Sequence, residues 1–170
     1  MTFNSSESSL GFLMKAIGMI TRPPRSSYDP DTLNDIVIKC PDVIAHRSPF
    51  EFKNRRGETI IGSVYEPPEH NPKCVIYMHG NIGSQREGRG IVRWVGLYGV
   101  SVCCFDFSGS GLSDGDFVTL GSNESNDVVD MVCYLRNEKG FKEFVLWGRS
   151  MGATVAILSA PCAIEIKGII

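Results

Sequence analysis

Histidine is scarce in this 170-residue sequence: only His46, His70 and His79 are present. The six cysteines, Cys40, Cys74, Cys103, Cys104, Cys133 and Cys162, contain no C-x-x-C pair and no cluster with metal-ligand spacing. A cysteine-built metal site is therefore not expected, and no metal or organic cofactor is implied. Cys74, Cys103 and Cys104 lie in apolar runs, as reduced core thiols of a cytoplasmic protein would. Neither sign of charge dominates, since 17 Lys and Arg face 19 Asp and Glu. That balance gives no electrostatic case for a nucleic-acid partner or an anionic membrane. No apolar run is long enough to span a bilayer: Leu10 to Ile20 is interrupted by Lys15 and falls well short of about 20 residues. No basic region precedes that run and no small-residue cleavage site follows it cleanly. Internal repeats and low-complexity segments are also missing.

What is present is an ordinary globular composition, 42% hydrophobic and 21% charged, at a length suited to one domain. Residues 1–35 read as an N-terminal extension. After a serine-rich start (Ser5, Ser6, Ser8, Ser9), Leu10, Leu13, Met14, Ile17 and Ile20 recur at roughly helical spacing until Pro23 and Pro24 stop the pattern. This predicts a short amphipathic helix packed on the body of the domain. A membrane-surface or partner-binding helix at residues 10–20 is the alternative.

Residues 36–170 read as alternating strands and helices. Ile60 to Tyr65 is a strand closed by Pro67 and Pro68, and Cys74 to Met78 is a continuous apolar run, as in a parallel strand buried on both faces. Ser84 and Glu87 have capping-box spacing, which predicts a helix from Ser84 to Gly99 with Ile91, Trp94, Val95 and Tyr98 on its apolar face. Val100 to Phe107 is the next strand, and a glycine-rich loop runs from Ser108 to Gly121. Val128, Met131, Val132 and Leu135 mark a second helix ending at Gly140. Phe144 to Trp147 is a short strand, followed by a turn and a helix through Ser159; Gly168-Ile169-Ile170 opens one more strand. The alternation predicts an α/β fold, a mostly parallel sheet with helices on both faces.

Three segments carry chemistry. Gly148-Arg149-Ser150-Met151-Gly152 is a G-x-S-x-G that follows an apolar strand and opens a helix, the context of a nucleophile elbow. A turn that sharp strains the serine backbone and brings main chain close, which glycines at 148 and 152 permit. Ser150 is thus the candidate catalytic nucleophile. Acyl transfer also needs two N–H donors for the developing oxyanion. The residue after the nucleophile, Met151, supplies one, and Asn81, in the His79-Gly80-Asn81 loop after the strand Cys74 to Met78, supplies the other. His79 reads as structural, holding that loop. The third segment, Asp106 to Gly115, has a G-x-G at 109–111. Asp114 occupies the third glycine position and no helix opens there, so the dinucleotide reading fails and the loop reads as a wall of the site's mouth.

Taken in order, YMHGN (77–81), DFSGSGLSDGD (106–116), VTLG (118–121) and LWGRSMGA (146–153) resemble the α/β-hydrolase superfamily. The nearest likeness is its serine-peptidase-like branch (serine aminopeptidase, prolyl-oligopeptidase-like). Arg-Pro-Pro-Arg with Tyr28-Asp29-Pro30 is similar to the N-terminal region of such proteins. The resemblance implies a Ser–Asp/Glu–His triad and an α/β-hydrolase fold cut at about its sixth strand. In that superfamily the acid and the histidine follow the nucleophile in the chain. Here no histidine follows Ser150, and Glu165 is the one acidic residue that does. The expected function is serine hydrolysis of an ester, amide or thioester of a small-molecule or peptide substrate in the complete enzyme, with these 170 residues alone nearly inactive. The alternative is a non-catalytic, truncated hydrolase-fold protein acting as a binding module or lacking independent function.

Overall fold

Odd and even residues of the central strands face different partners, and that alternation sets the layers. The structure, a computed structural model, describes residues 9–38, 43–69 and 71–170. Seven strands, β1 (Ile36–Ile38), β2 (Val43–Lys53), β3 (Thr59–Glu66), β4 (Lys73–Met78), β5 (Ser101–Phe105), β6 (Glu143–Gly148) and β7 (Ile166–Ile169), form one sheet in the order β1-β2-β3-β5-β4-β6-β7. Pairing is antiparallel from β1 to β5 and parallel across β5-β4-β6-β7. The sheet is therefore mixed, with its parallel half under the candidate site.

On one face, Cys74, Ile76 and Met78 of β4 join Phe105, Phe144 and Leu146 against α3 (Ser122–Lys139) and α4 (Met151–Ser159). Val128, Met131, Val132 and Leu135 of α3 are all buried there, as their spacing predicts. On the other face, Val75 and Tyr77 pack with Val102, Cys104 and Val92 of α2 (Arg89–Val95). Helices cover both faces of this α/β fold. The thiols of Cys74, Cys103 and Cys104 are buried, and burial raises the pKa of each, which keeps them protonated. Cys133 and Cys162 are also free, while Cys40, His70 and the serines at 5, 6 and 8 lie outside the described residues.

Four differences from the sequence reading have physical causes. The β1-β2 pair leaves alternate residues exposed (Val37, Ile44, His46), so its sequence shows little apolar contrast. Helix α2 starts at Arg89, not Ser84, because tertiary partners take the groups a capping box would use. The Ser84 hydroxyl accepts from the Ser26 hydroxyl at 3.2 Å, and the Glu87 carboxylate is held by Arg149. Val92 rather than Trp94 or Tyr98 faces the core; those two aromatics are 71% and 80% exposed. Finally, α1 (Ser9–Thr21) forms, but Leu10, Leu13, Met14, Ile17 and Ile20 are exposed rather than packed on the body.

The end of α1 and the strap after it meet the site's edge of the sheet. The Ile20 carbonyl accepts from Asn81 Nδ2 at 3.3 Å, and the Thr21 carbonyl accepts the Val118 N–H at 2.8 Å. Arg22 stacks over Phe117 at 4.1 Å, and Arg25 donates to the carbonyls of Ser113 (2.7 Å) and Gly115. Among the described residues no helix is long and apolar enough to cross a membrane.

Candidate active site

Parallel pairing of β4 with β6, in register from Lys73↔Glu143 to Met78↔Gly148, brings the two loops that follow these strands to the same edge. One loop starts His79-Gly80-Asn81 and the other Arg149-Ser150. The Arg149 N–H donates to the Met78 carbonyl at 3.1 Å, which extends the ladder into the turn. The turn is tight enough to exclude side chains. A Cβ on Gly152 would lie 2.7 Å from the Met78 carbonyl carbon and 2.9 Å from its Cβ, and one on Gly148 would strike the backbone of Gly152 and Ala153.

Ser150 has φ 54° and ψ −117°, a backbone conformation an L-residue adopts only under strain. Its side chain is exposed, and its hydroxyl makes no hydrogen bond among the described residues. Ser150 immediately precedes α4, and its carbonyl accepts the N–H groups of Ala153 (2.9 Å) and Thr154 (3.3 Å). The Met151 N–H, in the first turn of α4, has no acceptor among the described residues, and neither has the Asn81 N–H. The Asn81 side-chain oxygen is buried and likewise unpaired.

The loop carrying Asn81 is braced from below. His79 is fully buried. Its Nε2 accepts the Phe107 N–H at 3.1 Å, which leaves the proton on Nδ1 to donate to the Gly80 carbonyl at 2.7 Å. Burial lowers the pKa of this imidazole and keeps it neutral. With both nitrogens engaged, His79 is a brace and not a base. His46 is no base for Ser150 either. It pairs with Glu66 at the opposite edge of the sheet and contacts Asp35 at 3.1 Å.

Asp106 organises the neighbouring loop. Its buried carboxylate accepts from the Gln85 N–H (2.7 Å), the Leu112 N–H (2.8 Å) and the Tyr28 hydroxyl (2.5 Å). Burial, aided by the Asp106 charge, pushes the Tyr28 pKa up and keeps its hydroxyl a donor. Nearby, the fully buried Asp127 takes Arg56 at 2.6 Å, Asn54 at 2.9 Å and the Ser108 hydroxyl at 2.8 Å, tying the β2-β3 turn to α3. Burial raises the Asp127 pKa against the opposing pull of these partners.

The model of the family described as serine aminopeptidase, S33, matches residues 69–170, well over half of the chain. The chain belongs to the serine aminopeptidase S33 family. Among curated relatives, this S33 chain is 26% identical over 132 residues to an uncharacterized protein of Acanthamoeba polyphaga mimivirus, covering 76% of the chain and 40% of that protein. It is 30% identical over 93 residues to the uncharacterized protein YfhR of Salmonella typhi, covering 54% of the chain and 32% of that protein. Among solved structures, an esterase of Pyrococcus furiosus superposes with a TM-score of 0.70 at 25% identity, covering 88% of the chain and 55% of the esterase. An α/β hydrolase of Penicillium sp. sh18 superposes with a TM-score of 0.64 at 22% identity, which speaks for the fold alone. The S33 chain thus spans about half or less of the length of these proteins.

Three site features of this family member were not legible as such. Arg149 and Glu87, 62 residues apart, form a bidentate ion pair beside the elbow. Gln85 bonds Tyr28 at 2.7 Å and Ser63 at 2.9 Å. Tyr28 itself was visible only as part of a resembling segment.

Proposed function

We propose that this chain supplies the nucleophile and oxyanion-binding half of a serine hydrolase acting on an ester, amide or thioester of a small molecule or peptide. Ser150 attacks the carbonyl carbon to form an acyl-enzyme. The developing oxyanion is held by the N–H groups of Asn81 and Met151. The observation that carries this reading is the strained, exposed, unbonded Ser150, with an unpaired N–H at the start of the helix it opens and another on the neighbouring β4 loop. A plain strand–helix turn has no need of either feature. Membership of the S33 family and the likeness to a Pyrococcus esterase support hydrolysis in general, and the latter favours ester substrates.

The proton on Ser150 needs an acceptor. His79 is sealed and His46 stands at the far edge, so the base comes from outside the described residues. The described residues alone would therefore be nearly inactive. In subtilisin, the handling of a comparable loss is known: removing the histidine costs about 2 × 10⁶ in kcat.

A fluorophosphonate probe tests the assignment. The native protein should be labelled covalently and its Ser150→Ala variant should not. Equal labelling of the two would remove Ser150 from the mechanism.

A further inference from the structure

The loop after β4 and the elbow after β6 are cross-linked by side chains as well as by the ladder. Arg149 Nε and Nη2 donate to the two oxygens of Glu87 at 2.9 and 2.8 Å, a fork that fixes orientation as well as distance. Both side chains press on the turn that presents Asn81. A Cβ at Gly80 would lie 2.8 Å from Arg149 Nη2 and 3.2 Å from its Cζ, so the guanidinium lies against Gly80. A Cβ at Gly83 would lie 2.9 Å from Glu87 Cδ and 2.8 Å from His79 Cβ. The turn is closed by the Gly83 N–H donating to the Gly80 carbonyl at 2.9 Å, and Asn81 sits within it. The Tyr77 hydroxyl adds a longer contact to Glu87 at 3.4 Å. Burial works against ionisation of Glu87, but Arg149, with help from the Gly80 backbone, outweighs it and holds the pKa below its ordinary value.

The two unpaired donors belong to different bodies. The Met151 N–H moves with the elbow, and the Asn81 N–H moves with the β4 loop. A fork between the side chain next to Ser150 and the far end of the Asn81 loop sets their separation. Stability does not explain the pair, because Arg149 is 60% and Glu87 26% exposed, and ion pairs that reach solvent contribute little.

We propose that Arg149 and Glu87 are positioning residues, a clamp that fixes the Asn81 N–H against the Met151 N–H and so sets the geometry of the oxyanion site. This rests on the function proposed above. Loss of the clamp leaves Ser150 and both donors present but lets the gap between them drift. A displacement of about 1 Å can cost on the order of a hundredfold in rate.

The test is fluorophosphonate labelling kinetics of the native protein with Glu87→Gln, Arg149→Met, Arg149→Lys and Ser150→Ala. The first two should slow labelling at saturating probe by about tenfold to a hundredfold. Their half-saturating probe concentration should not change, and their melting temperatures should stay within a few degrees of wild type. Arg149→Lys, which keeps the charge without the fork, should fall between. Wild-type labelling rates in Glu87→Gln and Arg149→Met, whether or not the variants melt earlier, overturn the clamp while leaving Ser150 in place if Ser150→Ala stays unlabelled. Labelling of Ser150→Ala overturns the function itself.

Discussion

Ser150 carries a measurable load. Its φ of 54° and ψ of −117° lie where only glycine is at ease, and holding another residue there costs on the order of 1–3 kcal/mol. Ser150→Gly should release that strain. Against the release stands the extra freedom glycine gives the unfolded chain, about 0.4–1 kcal/mol. The lost hydroxyl is exposed and unbonded among the described residues, so its removal should stay within about 0.5 kcal/mol. The net gain is roughly 0–2.6 kcal/mol, centred near 1.3 kcal/mol. At about 2–4 °C per kcal/mol for a chain of this size, the melting temperature should rise by about 3–5 °C at the centre of that range. Ser150→Ala is the control, since it deletes the same hydroxyl but keeps the Cβ and the strain. Melts of the two variants followed side by side by circular dichroism give the comparison, and neither should react with a fluorophosphonate. If Ser150→Gly melts at or below Ser150→Ala, the elbow stores no strain and the steric argument for it fails.

Two further outcomes follow from the same geometry. Gly152→Ala should destabilise the fold by about 1–3 kcal/mol, because the new Cβ meets the Met78 backbone, which cannot rotate away; an unchanged melting temperature would contradict this. Burial lowers the His79 pKa from 6.5, so below that pH the unfolded chain binds a proton that the folded chain refuses. Stability from this group is therefore present above pH 6.5 and is lost as pH falls toward the lowered value, by up to about 1.4 kcal/mol per pH unit. An equal urea midpoint at about pH 7.5 and 5.5 would count against the buried neutral imidazole.

The parallel half of the sheet was readable because its strands are apolar throughout and its helices keep a 3.6-residue period. Cys74 to Met78 and Val128 to Leu135 are such cases, and the structure buries both as expected. The antiparallel half was not. In β2, Ile44, His46, Pro49 and Glu51 are exposed while Ala45 and Phe50 are buried, a pattern too mixed to separate from loop. Ser84 to Glu87 shows the opposite failure, a strong local signal overridden by distant partners. Capping contributes about 1 kcal/mol, and partners distant in sequence take both of its side chains. Ser26 takes the Ser84 hydroxyl, and Arg149 takes the Glu87 carboxylate.

That competition explains why separate sequence strings proved to be parts of one object. Tyr28 and Asp106 are 78 residues apart, yet the hydroxyl of one completes the hydrogen-bond set of the other. The remaining donors to Asp106 come from Gln85, beyond the Asn81 turn, and from Leu112, within the glycine-rich loop. One buried charge thus ties together the strap after α1, the loop after β4 and the loop after β5. Burying a carboxylate is costly unless its oxygens are bonded, and here each contributing segment supplies a donor. Gly111 is placed by the same demand, since a Cβ there would collide with the Asp106 carboxylate. The next residue along, Phe107, donates its N–H to His79, which braces the turn that presents Asn81. The strap and the glycine-rich loop therefore reach the candidate oxyanion site through Asp106 and His79. Pattern reading along the chain finds each of these segments but not the carboxylate that joins them.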